Sequence, residues 1–482
     1  MLLTDALLLD YKRCQRRAFL NTYGNRQQQD PERDFLLKLR QESQIHVEKV
    51  LLEFYPDYQR PEADLSNPKA LAQATEVLML EGVSCIYHGV LLRSHSFQGH
   101  SIDLLGTPHL LIKQPGQSKF GDWQYYSTSI QLGRRPKPEY KMIAAYHADL
   151  LMSIQGVTPK TAQIILRRHH PTFVELDIWI PRMQETLFDC MEMLVKKQEP
   201  EVFISRQRCS LCHWHTHCYT IAQSQQHLSL VPGITPNRYE SLQTLGVFTV
   251  EALAATSPNN LGELIGLEVA SQLQQQAQSI VENRAFRKHN SSKHWPNIPN
   301  SPIEFYFDIE AEPEQNLDYL LGVLRVNHLD NTQIFYPLLA EKTEDEKIIW
   351  QNFLKLVNTD PKAPIFHFSE YEVETIKRLA YLYGTPVSEI YPILARCVDL
   401  HQKVTQFVTL PVESYSLKSL ANWIGFHWRD QGVSGDQCVC WYDQWLKTGD
   451  RNFLEAILRY NEDDCRATFH LKNWMSHFFL DS

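Results

Sequence analysis

No apolar run in the 482-residue sequence is long enough to span a membrane, which takes about 20 such residues. The opening stretch, MLLTDALLLDYKRCQRR, carries its charges after its short apolar patch, the reverse of the order in a secretory signal. Both absences make a soluble, cytoplasmic protein the expectation. An excess of positive charge is lacking too: 47 Lys and Arg stand against 56 Asp and Glu, a formal net charge of -9. No global field therefore draws in polyanions, and any such contact has to come from local basic clusters. The candidates are Lys12, Arg13, Arg16 and Arg17; Arg134, Arg135 and Lys137; and Arg167 and Arg168. Each also reads as ordinary solvated surface. What is present is a globular composition, 43% hydrophobic and 11% aromatic. The length predicts roughly two to four domains.

Composition divides the chain into three regions and a linker. Residues 1–225 mix helical and strand patterns and end in a cysteine cluster. Residues 226–287 are helical and rich in Gln. A polar segment with Pro and Asn, 288–302, leads into residues 303–482, which read as strands followed by helices. The expected fold class is α/β, multidomain.

The last region places its acids in an unusual way. In IEFYFDIEAEP, Ile303, Phe305, Phe307 and Ile309 fall on one face of a strand, and Glu304, Tyr306, Asp308 and Glu310 on the other. Two carboxylates two residues apart on one strand face repel each other unless a cation sits between them. Near the end of the chain, YNEDDCRAT sits inside an apolar helical pattern, too far along it to serve the helix dipole. There Tyr460 and Asp464 are four apart and share a helix face, while Glu462 points away and Asp463 lies at the margin. Hard oxygen ligands of this kind suit Mg²⁺ or Mn²⁺.

This region resembles the DnaQ-like 3′–5′ exonucleases of RNase H-like fold, in the four-carboxylate group that carries a tyrosine. The family's Asp-x-Glu on the first strand is matched by Asp308 and Glu310, and its Tyr-x-x-x-Asp on a late helix by Tyr460 and Asp464. Its middle motif, an aromatic followed by Asp at a helix start, is met by Tyr371–Glu372, with Glu in place of the usual Asp. Asp399 resembles a further acid of the family. The resemblance implies hydrolysis of a phosphodiester by two metal ions, with Tyr460 orienting or helping to deprotonate the attacking water.

The cysteines of CSLCHWHTHC, Cys209, Cys212 and Cys218, have metal-site spacing and need a fourth soft ligand. Cys14 is the candidate. One cysteine before a core and three after it resembles the iron–sulfur clasp of RecB-like PD-(D/E)XK nucleases, which implies a cluster of [4Fe–4S] type stapling the two ends of a domain. Zinc is the alternative, with His213, His215 and His217 as possible nitrogen ligands. The same resemblance matches His46, Asp103 and Tyr146 to residues of the nuclease core. The acid and lysine of its Asp/Glu-x-Lys motif are replaced by Ser129 and Gln131, and the Gln of its helix motif by Met142. Glu139, Lys137 and Lys141 are nearby substitutes. A pocket with one carboxylate and no lysine holds Mg²⁺ poorly, so the N-terminal region reads as a nucleic-acid-binding remnant.

In the middle region, LSLVPGITPNRYESLQTLGVFTVEALAA resembles a helix–hairpin–helix unit, with Gly233 and Gly246 as phosphate-binding turns. The whole resembles bacterial RecB-like nucleases with a C-terminal RNase H-like domain. The implied partner is DNA or RNA; no protein partner is named by the sequence. The alternative function is a non-catalytic iron–sulfur protein that binds nucleic acid.

Overall fold

The computed structural model describes the chain except for residues 168–169, 289–297, 314 and 481–482. Arg168 and most of the expected linker therefore lie outside the described residues. The chain forms two compact units, Met1–Ile221 and Ala222–Ser482.

In the first unit, strands β1 (Leu2–Thr4), β3 (Leu91–Phe97) and β4 (His100–Gly106) form one sheet, ordered β1-β4-β3. A second sheet contains β2 (Cys85–Tyr87), β5 (Leu110–Ser118), β6 (Gly121–Ile130), β7 (Ala162–Ile165) and β8 (Pro171–Val174), ordered β2-β5-β6-β7-β8. β5 and β6 are an antiparallel hairpin, and β7 then lies parallel to β6. The crossover between them is the helix Pro138–Gln155, which starts with Pro and ends at Gly156 in the left-handed region. Its Met142, Ala144, Ala145, Tyr146, Ala148, Leu150 and Leu151 are buried together, so this helix is the centre of the unit's core.

The two ends of this unit are tied to each other. Tyr23 donates its hydroxyl to the Leu194 carbonyl at 2.8 Å, and Arg16 donates to the Pro200 carbonyl at 2.6 Å. Asn21 accepts from the Trp214 indole at 2.8 Å and meets the His213 ring at 2.8 Å.

In the second unit, β10 (Ile303–Glu312), β11 (Leu317–Asn327) and β12 (Thr332–Leu339) form an antiparallel meander. β13 (Ile365–His367) pairs parallel to β10 on its other side, and β14 (Cys397–Asp399) pairs parallel to β13. The order is β12-β11-β10-β13-β14. β10 is central in the sheet, and both its faces are covered: Phe305 and Phe307 enter one core, Tyr306 another. The alternation expected from sequence is thus present. A register shift between Glu310 and Ala311 bends the strand just past the acids. The final helix, Arg451–Leu480, places Leu454 and Ile457 in the first of these cores and Cys465, Leu471 and Met475 in the second.

The Gln-rich helices do not stand apart. β9 (Phe286–Arg287) pairs with β15 (Val408–Thr409). From the helix Leu267–Glu282, Gln275 donates to the Arg287 carbonyl at 2.7 Å and Gln276 to the Leu410 carbonyl at 2.6 Å. These buried amides satisfy backbone groups at the edge of a two-stranded sheet, which explains why Gln rather than Leu occupies the positions. The division expected near 287 therefore falls inside one unit.

Candidate active site

Asp308 and Glu310 lie at the C-terminal end of β10, and Asp464 lies midway along the final helix that crosses it. One carboxylate oxygen from each comes within 4.8 Å of the others, the only such group of three or more His, Cys, Asp or Glu among the described residues. Residues 154 apart in sequence are thus brought together by one strand and one helix. Burial raises the pKa of all three, and their mutual repulsion adds to the rise for Asp308 and Glu310. Asp464 is pushed up to about 7. Its rise is opposed by the Trp428 indole, which donates to Oδ1 at 2.8 Å, by the Lys418 charge, and by a hydrogen bond from the Tyr460 hydroxyl. Burial and the neighbouring carboxylates drive the Tyr460 phenol far above its usual range.

Glu372 lies in the first turn of the helix Tyr371–Leu382, just after β13, where the resemblance puts the middle acid. It is outside the three-carboxylate group. Its Oε2 accepts from the Ser369 hydroxyl at 2.8 Å and lies 3.6 Å from His367 Nδ1. It is still close enough to Asp308 to raise that group's pKa. Asp399 caps the helix Leu400–Phe407, accepting from the Gln402 amide at 3.1 Å.

The acids beside the site are disposed differently from the expectation. Asp463 is buried, not marginal, and accepts from the Arg429 amide and from its Nε, both at 2.8 Å. Glu462 is outside the three-carboxylate group and is clasped by Arg429 at 2.9 Å and by Arg466 at 2.8 Å. Trp428, Lys418, Arg429 and Asn461 were not legible as site residues in the sequence. Only the repeated acids of NEDD hinted that something basic had to face them.

The matched residues of the first unit lie on several elements. Asp103 is on β4 of the three-stranded sheet, accepting from the Ser94 hydroxyl at 2.6 Å, whereas Ser129 is on β6 of the other sheet. The side chain that reaches the end of β6 is His109, which accepts from the Ile130 amide at 3.3 Å. Burial pushes its pKa down to about 4, with His88, His147 and His46 adding to the effect. His46 is buried on the helix Asp34–Phe54. Tyr146 is buried as well, its hydroxyl 3.3 Å from the Leu3 carbonyl and 3.4 Å from that of Leu105. Arg16 and Arg17 serve the fold, pairing with Glu199 at 2.6 Å and Asp10 at 2.9 Å.

The four cysteines do converge. Cys14 ends the helix Asp5–Arg13 and lies near enough to Cys209, Cys212 and Cys218 to affect the titration of each. Burial raises the last three, Cys218 to about 11, against the Arg16 side chain, which hydrogen-bonds Cys218. The middle region has both glycines at positive φ, 92° for Gly233 and 75° for Gly246. Gly233 precedes the helix Pro236–Thr244, and Gly246 follows it with its N–H bonded to the Gln243 carbonyl at 2.9 Å. That amide is committed to ending the helix.

A family model described as RNase_H superfamily matches residues 305–476. The matched stretch runs from β10 into the final helix and contains Asp308, Glu310, Glu372, Tyr460 and Asp464. Over that stretch the C-terminal part of the chain is RNase H-like, in agreement with the strand order and the place of its carboxylates. No curated protein and no solved structure matches the chain.

Proposed function

We propose that the RNase H-like domain is a metal-dependent 3′–5′ exonuclease. The observation that carries this is the crowding of Asp308, Glu310 and Asp464. Three acids that burial and repulsion hold toward protonation are costly to a fold, and a divalent cation relieves that cost. Hard oxygen donors fit Mg²⁺ or Mn²⁺. When bound, the ions supply charge neutralisation at the scissile phosphate and a more acidic water. Asp308, Glu310 and Asp464 would hold the ions, with Glu372 nearby on the Tyr371–Leu382 helix as a fourth carboxylate. Tyr460, on the same helix face as Asp464, positions the attacking water through its hydroxyl.

The N-terminal unit is proposed to bind nucleic acid without cutting it. Ser129, Gln131 and His109 at the end of β6 offer no carboxylate and no lysine. Its four cysteines are proposed to hold an iron–sulfur cluster. A zinc ion with four thiolates at about 2.3 Å would set the sulfurs about 3.8 Å apart. No three of these sulfurs come within 4.8 Å of one another. Cys14, Cys209, Cys212 and Cys218 would hold such a cluster, which would staple the two ends of the unit. The Nε2 of His213 is engaged by Asn21 Oδ1 at 2.8 Å.

The test is cleavage of single- and double-stranded DNA and RNA, labelled separately at the 5′ and 3′ ends, with Mg²⁺ or Mn²⁺. Stepwise release of mononucleotides from the 3′ label is expected. Internal cuts, or loss from the 5′ end first, would refute the exonuclease assignment.

A further inference from the structure

Asn461 follows Tyr460 on the final helix and is completely buried. Its Nδ2 donates to Asp308 Oδ2 at 2.7 Å. Its Oδ1 has no hydrogen-bond partner. A buried, unpartnered amide oxygen is costly, so the position needs a reason. The reverse orientation of the amide would set its oxygen against a carboxylate.

The space for that oxygen comes from the neighbouring strand. Gly322 on β11 is the register partner of Asp308. A Cβ at 322 would stand 1.6 Å from Asn461 Oδ1 and 2.7 Å from its Cγ, against 3.2 Å for the next neighbour, Phe335 Cε2. The backbone of Gly322 is not in the left-handed region. A glycine in the middle of a central strand weakens it, and conformation does not require this one. The close approach of the Asn461 amide does.

We propose that Asn461 is a positioning residue for the metal site and that Gly322 exists to admit it. The amide pins one oxygen of Asp308 and so turns the other toward Glu310 and Asp464. This role rests on the reading of the three carboxylates as metal ligands. Outer hydrogen-bond partners of this kind typically account for about 10–100-fold in metal affinity.

The test uses Mn²⁺ binding by the full chain, followed by electron paramagnetic resonance, together with thermal unfolding. Asn461→Ala should weaken Mn²⁺ binding by about 10–100-fold. It should lower the cleavage rate at saturating Mn²⁺ by much less than at limiting Mn²⁺. Gly322→Ala alone should lower the unfolding temperature sharply. In the Asn461→Ala background the same change should be far milder, because the atoms it would strike are gone. A folded Asn461→Ala that binds Mn²⁺ like the parent would overturn the positioning role, as would a Gly322→Ala penalty that is equal in both backgrounds. Absence of Mn²⁺ binding by the parent would instead overturn the reading of the carboxylate site itself, and this role with it.

Discussion

The two units treat their acids in opposite ways. In the first, the acids near the core strands have partners of opposite charge or hydrogen-bond donors: Asp5 with His147 at 2.8 Å, Asp149 with Arg93 at 2.7 Å, Asp103 with Ser94 at 2.6 Å. In the second, Asp308, Glu310 and Asp464 face one another, raised by burial and repulsion. Their neighbours Glu462 and Asp463 are fully paired with arginines. A fold that merely tolerated acids would pair all of them. Crowding three while pairing the next two is the pattern a cation site would show, and among the described residues the first unit has no such group.

The sharpest way to break this comparison is to remove one acid from each side. Asp464→Asn should reduce cleavage to background, while Asp103→Ala should leave it nearly unchanged. Equal losses in a nuclease assay would mean that both units cut. Next in size is Tyr460→Phe, which keeps the ring and loses the hydroxyl. It should lower turnover by about 10²–10⁴-fold, the usual contribution of acid–base help, with Mn²⁺ binding retained. Loss of metal binding instead would make the tyrosine a structural support.

On the other side of the comparison, Cys14→Ala should bleach the brown colour expected of anaerobically purified protein and lower the stability of the first unit. Colourless parent protein containing stoichiometric zinc would replace the cluster with the ion. A smaller effect separates the crowded acids from the paired ones by pH. Asp464 has a folded pKa of about 7 against an ordinary 3.8. Between those values the folded state holds a proton that the unfolded state has released. This group's contribution therefore destabilises progressively as pH rises from about 4 to about 7, and fully above that. Without metal, the unfolding temperature of the parent relative to Asp464→Asn should fall across that window, and Mn²⁺ should reverse the fall. A difference independent of pH would contradict the crowding. The smallest effect belongs to Glu462→Gln. It loosens a partly exposed clasp with Arg429 and Arg466, so it should cost up to about 1 kcal/mol in chemical denaturation and leave cleavage unchanged.

The sequence by itself determined whatever depends on backbone period. Asp308 and Glu310 share a strand face because strands alternate, and Tyr460 and Asp464 share a helix face because four residues make about one turn. Glu372 was reached through the resemblance, from its place at a helix start after a strand. Spacing singled out Cys209, Cys212 and Cys218, whereas Cys14 came from the resemblance, because no local period links it to the other three. Only tertiary structure could decide the rest. Asn461 meets Asp308 across 153 residues, Trp428 meets Asp464 across 36, and Gly322 matters only because another segment fills the volume beside it. Asp103 lies on β4 of one sheet and Ser129 on β6 of another, and His109 meets the end of β6, placements that sequence spacing does not fix. Period is a property of one segment, whereas partner, register and free volume belong to two segments at once, and only packing brings those together.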